Sequence, residues 1–174
     1  MESVTKNLLP DDASGFTDKS EEVARTSLAE GCQCEKREDW EGAIVSYQRS
    51  LGADPKDPLV RYFANNNLGY SLLQLGRYDE AEGYCETAIA INPSQYNAHK
   101  NLGLALEGQG RWLDAALCLA EAARLCPQNT RAWLHLNHLL NARPGLLGQA
   151  PDLVRTVKAL EDSYRSAGYV PRLN

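Results

Sequence analysis

Leucines, alanines and glycines along the middle of the chain fall into two blocks with one pattern. In the first block Leu68, Leu72 and Leu75 are followed by Ala81, Cys85, Ala88 and Ile89 at three- and four-residue steps. That spacing gathers apolar groups on one face of a helix, then on one face of a second helix. The pattern predicts helix A over 62–75, a turn at Gly76-Arg77-Tyr78-Asp79, and helix B over 78–91. Pro93 lacks an amide hydrogen and ends the unit. The second block repeats the first after 34 residues: Leu68/Leu102, Gly69/Gly103, Gly76/Gly110, Ala81/Ala115, Ala88/Ala122 and Pro93/Pro127. Gly69, Gly103 and the paired alanines are small where two helices must cross closely. Tyr78 and Trp112 follow the turns and are placed to wedge between neighbouring units.

A more diverged unit precedes these blocks. Over 20–55 it carries Gly31, Trp40-Glu41-Gly42-Ala43, Tyr47, Ser50 and Asp54-Pro55. Pro55 and Pro93 are 38 residues apart, so four extra residues near Lys56-Asp57-Pro58-Leu59 are expected in the loop between units. After Pro127, Thr130, Trp133, Leu136 and Leu140 outline a fourth helix A. Pro144-Gly145-Leu146-Leu147-Gly148 breaks the pattern. Pro151 suits a first helical position, and Gly168 a stop. Between them Leu153, Val157, Leu160 and Tyr164 make the apolar stripe of a displaced helix B or cap, with Lys158, Glu161, Asp162 and Arg165 on its wet face. Residues 1–19 and 169–174 are expected to be tails, and 20–168 a single domain. Units at about 20–55, 62–95 and 96–129 precede a partial unit with its cap at 130–168. Asp18 or Ser20 is expected to cap the first helix.

The Leu-Gly pairs, turn glycines, two alanines and terminal proline, twice in register, resemble the tetratricopeptide repeat (TPR) family, whose period is 34 residues. The chain departs from the family at Asn65 and His99, where Trp is favoured, and at Cys85 and Leu119, where an aromatic is favoured. The resemblance implies an all-α, right-handed solenoid of antiparallel helix pairs. About three repeats are followed by a fourth helix A and a C-terminal capping helix. A concave groove lined by A helices is implied as the binding surface. Its candidate peptide-binding residues are Phe63, Asn66, Asn67 and Tyr70, then Asn97, Lys100 and Asn101, then Arg131 and His135. Leu104, Leu134 and His138 lie on the same faces. An asparagine side chain both donates and accepts, so Asn67 and Asn101, one repeat apart, fit a ladder gripping an extended backbone. TPR domains that hold chaperone C-termini use two Asn and three basic residues. Here Asn101 and Arg131 match that clamp in type, while His135, Asn66 and Tyr70 do not. Such asparagines are also ordinary family consensus.

Charge changes the picture only by exclusion. Lys and Arg number 18 and Asp and Glu 23, a net charge of −5. Nucleic-acid binding normally calls for a basic patch, so none is expected. No run of apolar residues is long enough for a membrane span, and Met1–Lys6 lacks a signal-peptide core. The five scattered cysteines suggest reduced thiols and a cytoplasmic location. Cys32 and Cys34 point apart on a helix and cannot share a bond easily. His135 and His138 lack a third metal ligand, and no phosphate loop or Ser/His/Asp set appears. No catalytic residue, metal or cofactor is expected. The reading is a non-enzymatic interaction module, a scaffold or chaperone adaptor, taking a peptide or extended protein segment, as a monomer or homodimer. A small secretion-type TPR chaperone or assembly factor acting as a dimer is the alternative. An enzyme or metal protein would rest only on the thiols and histidines.

Overall fold

A computed structural model describes residues 19–168. The expected tails lie outside the described residues, except Lys19, which opens the first helix. Asp18 also lies outside. Ser20 sits within the first helix, where its hydroxyl donates to the Ala53 carbonyl.

The described chain folds as α1 (Lys19–Lys36), α2 (Trp40–Gly52), α3 (Pro58–Gln74), α4 (Tyr78–Ile91), α5 (Tyr96–Gly108), α6 (Trp112–Leu125), α7 (Thr130–Ala142), α8 (Leu146–Gln149) and α9 (Pro151–Ser166). It is an all-α, right-handed solenoid. The pairs α1/α2, α3/α4 and α5/α6 are antiparallel hairpins, and each packs on the next. The A helices α1, α3 and α5 also touch in succession and form an inner row, and α7 follows as the next A helix, packed on α6.

Two local devices set each hairpin. The first is the turn. Gly76 and Gly110 take φ of +70° and +78°, which lets the amides of Arg77 and Arg111 reach the carbonyls of Leu72 and Leu106 at 3.0 and 2.9 Å. Glycine carries no Cβ penalty in that conformation. The diverged first hairpin puts Glu38, at φ 58°, in the equivalent place. Glu38→Gly should therefore stabilise the chain by about 0.5–1 kcal/mol, the left-handed penalty less the extra backbone entropy of glycine. Urea denaturation measures it, and an unchanged midpoint would refute it.

The second device is close approach. A Cβ on Gly31 would meet the Tyr47 ring at 2.4 Å, on Gly69 the Cys85 sulfur at 2.7 Å, and on Gly103 Leu119 Cγ at 2.8 Å. The three contacts are one structural position in successive repeats. Gly69→Ala should cost about 1–3 kcal/mol by overpacking. Adding Cys85→Ala should recover part of the loss, because the short cysteine side chain cannot swing aside. A double variant no more stable than the single one would place the strain elsewhere.

The four-residue insertion is a correction. The pattern placed it in a loop and began helix A at residue 62, whereas α3 begins at Pro58 and runs 17 residues, against 13 in α5 and in α7. Asp57 accepts the Leu59 amide at 2.8 Å, and Pro58 occupies the first turn, where its missing N–H costs nothing. The insertion thus extends α3 by a turn. The break at 144–148 also holds a short helix, α8, with Leu146 buried.

At the C-terminal end α9 is displaced from a helix B position and packs on α6 as a cap. Leu153, Val157, Leu160 and Tyr164 are all buried, and Trp133 stacks on Tyr164 with centroids 5.1 Å apart and planes at 17°. Tyr78 lies over Gly108, and Trp112 lies under the Arg143 guanidinium at 3.7 Å, so both span neighbouring units.

Candidate functional site on the inner helix row

Helix periodicity groups the second, fifth, sixth and ninth residues of α5 and α7 on one face, and in α3, with its extra turn, the sixth, ninth, tenth and thirteenth. Phe63, Arg131, Leu134, His135 and His138 are exposed there, and Asn67, Tyr70, Asn97, Lys100 and Leu104 are half-buried. Asn66 and Asn101 differ from that expectation. They are 7% and 2% exposed, and Asn101 Nδ2 donates to Asn66 Oδ1 at 3.2 Å. Asn66 Nδ2 in turn donates to Asn67 Oδ1 at 2.9 Å. These bonds tie α3 to α5, so the amides of Asn66 and Asn101 are spent within the fold. Asn101 Oδ1 is left as a buried acceptor without a partner.

Beyond the ladder the inner face divides by chemistry. Its C-terminal half is basic. Lys100 Nζ sits 5.7 Å from the Tyr70 ring centroid, and Tyr70 meets Trp40 edge to face at 5.9 Å. Burial, then the charge of Arg131, lowers the Lys100 pKa below the ordinary lysine value, with weak opposition from Cys85. Burial also lowers His135, helped by Lys100 and His138 and opposed by Glu107. Among the described residues no carboxylate pairs with Lys100 or Arg131. The outer-layer arginines differ: Arg77 pairs with Glu80 at 2.7 Å, Arg111 with Glu82 at 2.6 Å and Arg124 with Glu121 at 2.7 Å. Lys100 and Arg131 lie close enough for one charge to act on the other, with no carboxylate paired to either.

The N-terminal half is apolar. Between α1 and α3 lies an open cavity of about 610 Å³ whose wall includes Leu28, Cys32, Leu59, Val60, Phe63 and Asn67. Sequence reasoning found Phe63 and Asn67 but missed the rest, because Leu59 and Val60 belong to the turn it assigned to a loop. The 38-residue step was the available signal.

Cys85 and Cys118 pack against the core. Burial pushes Cys85 up to about 12 and Cys118 to about 11. Tyr47 donates to Glu35 Oε1 at 2.7 Å, and burial raises the Glu35 pKa against that bond and one from Ser71. Among the described residues no cluster of three His, Cys, Asp or Glu is placed to hold a metal, and no helix is long and apolar enough to cross a membrane.

Residues 66–130 match the family model for the tetratricopeptide repeat. The matched stretch covers most of the second hairpin and all of the third. It is 30% identical over 101 residues to small glutamine-rich tetratricopeptide repeat-containing protein 2 of Mycosarcoma maydis, covering 58% of this chain and 28% of that protein. It is 23% identical over 148 residues to the mouse protein O-mannosyl-transferase TMTC3, covering 77% of this chain and 16% of that one. The chain thus spans well under a third of these relatives. Among solved structures, the second TPR domain of human RPAP3 in complex with the HSP70 peptide SGPTIEEVD is 26% identical with a TM-score of 0.61, covering 69% of this chain and 97% of that one. An O-GlcNAc transferase from Thermobaculum terrenum is 23% identical with a TM-score of 0.66, covering 72% and 24%.

Proposed function

We propose that the chain is a non-catalytic interaction module that holds an extended, acidic segment of a partner protein on its inner helix row. The observation that carries this reading is the convergence of Lys100, Arg131, His135 and His138 without a carboxylate paired to Lys100 or Arg131. The neighbouring RPAP3 domain, whose bound peptide ends in Glu-Glu-Val-Asp, supports it. The site is not the full chaperone clamp. Asn101 is buried in the ladder, Tyr70 supports Lys100, and His135 supplies only a titratable charge. Extended backbone and carboxylates are the features recognised, by charge-assisted hydrogen bonds.

A photo-crosslinking residue at Leu134, on the inner face, should capture a labelled SGPTIEEVD peptide. The same residue at Leu117, exposed on the helix B of the third repeat, should not. Capture at Leu117 alone would overturn the reading.

His135 adds a pH dependence with a definite sign. Its lowered pKa keeps it neutral near pH 7, and an incoming carboxylate favours its protonated form. Affinity for the acidic peptide should rise as pH falls below the ordinary histidine range, against the opposing charges of Lys100, Arg131 and His138 and with the help of Glu107. Titration of wild type against His135→Gln checks it, and equal pH slopes would remove His135 from the site.

A further inference from the structure

We infer that the cavity between α1 and α3 is a side-chain pocket, built by the extra turn of α3, that takes a large uncharged aliphatic or aromatic side chain of the bound segment. The inference rests on the inner-face reading above and names the chemistry its partner must carry.

The pocket departs from the repeat plan. Without the inserted residues α3 would lack the turn that supplies Leu59 and Val60, and the cavity would be an open shelf. Leu59 and Phe63 stay 55% and 45% exposed, a large apolar area on the inner row with Leu28 beneath it. Two contacts tie the inserted turn to α1: Arg25 to Asp57 at 2.5 Å, and the Lys56 amide to Glu21 at 2.9 Å. Those contacts hold the wall in place before any ligand arrives, which lowers the ordering cost of binding.

Rim charge selects the occupant. Arg25 is already shared between Asp57 and Glu21. A charged side chain entering the pocket would lose water and find no unspent counter-ion, which is costly. An apolar side chain gains from the same dry wall. Asn67 supplies the polar contact. Its Oδ1 accepts from Asn66, but its Nδ2 has only long contacts, 3.5 Å to Tyr47 and 3.7 Å to Cys32. Hydrogen bonds at such distances are weak, so this donor remains available to a peptide carbonyl at the pocket mouth. A cavity of about 610 Å³ falls within the range that encloses small ligands and so has room for a Leu, Met or Phe side chain.

A chain of amides links the pocket wall to the helix that carries Lys100. Asn67 bonds to Asn66, Asn66 receives the bond from Asn101, and Lys100 adjoins Asn101. One extended segment can therefore place an apolar side chain over α1 and α3 and carboxylates over α5 and α7. The partner segment is bipartite: a large apolar residue at one end and acidic residues at the other.

Selection of random dodecapeptides on the full chain tests this directly. Wild type should enrich sequences combining a Leu, Met, Ile or Phe with acidic residues. Leu59→Asn, a change at an exposed position that leaves the core untouched, should lose the apolar preference and keep the acidic one. Arg131→Glu should do the reverse. A synthetic peptide of the selected sequence should bind Leu59→Asn about tenfold more weakly, the effect of one buried apolar side chain. Acidic enrichment without an apolar residue would overturn the pocket and leave the inner-face reading standing. An apolar preference that survives in Leu59→Asn and in Phe63→Ser would overturn the pocket's location. No enrichment at all would overturn both.

Discussion

Trp133→Ala should lower the stability of the chain by about 3 kcal/mol and its melting temperature by about 6–12 °C. Trp133 is fully buried, and its ring stacks on Tyr164 of α9 at 5.1 Å. Truncating a buried tryptophan costs about 3–5 kcal/mol through lost transfer energy and the cavity left behind. The lower end is expected here, because Trp133 Nε1 is buried without a partner and its removal relieves that penalty. The loss should also change the shape of the transition. In a solenoid each unit is held by its neighbours, so α9 should loosen first while α1 to α6 persist. Urea unfolding followed by circular dichroism and by tryptophan fluorescence would then no longer coincide. Trp133→Phe should recover most of the stability, since it restores an aromatic partner for Tyr164. A Trp133→Ala cost under about 1 kcal/mol would mean that α9 contributes little to the last core.

The seam that Trp133 closes also separates what sequence can and cannot convey. Turn glycines, the stripe of α9 and the end of α4 follow from rules that act within a few residues. Gly76 and Gly110 had to accept positive φ, and Leu153, Val157, Leu160 and Tyr164 could share one helix face only if that face was buried. The extra turn of α3 was not legible, because a count from proline to proline gives the size of an insertion and not its conformation. Asp57 and Pro58 carry the local signal as a cap and a first-turn proline, which the 34-residue period does not contain. The asparagines failed for another reason. Periodicity assigns Asn66, Asn67 and Asn101 to the inner side of their helices, yet it cannot say which amides meet across the α3/α5 contact. That depends on interhelical distance, and only Asn67 keeps a donor to spare. Lys100 and Arg131, in contrast, have long side chains that reach past the backbone contact, and Arg131 is exposed.

Replacing both cations, as Lys100→Glu with Arg131→Glu, should weaken binding of an acidic peptide such as SGPTIEEVD by about 100-fold or more, while the fold is retained. The two charges should not contribute equally. Arg131 is exposed, so its attraction for a carboxylate is screened by water and salt, and Arg131→Ala alone should cost only a few-fold. Lys100 is half-buried and held over Tyr70, where a carboxylate meets a charge that has already lost part of its hydration. Its interaction is less screened, and Lys100→Ala should cost about tenfold or more. Salt separates the two contributions. Raising ionic strength should erase most of the Arg131 effect and leave much of the Lys100 effect, because buried pairs are screened less than exposed ones. Lys100 also accounts for its own retention. Its depressed pKa reflects burial and Arg131, so the free protein holds an unfavourable charge that a bound carboxylate would relieve. Lys100→Met should accordingly leave the folded chain at least as stable as wild type while binding the peptide poorly. A Lys100→Met variant that binds like wild type, or one that unfolds, would show that Lys100 serves packing and not recognition.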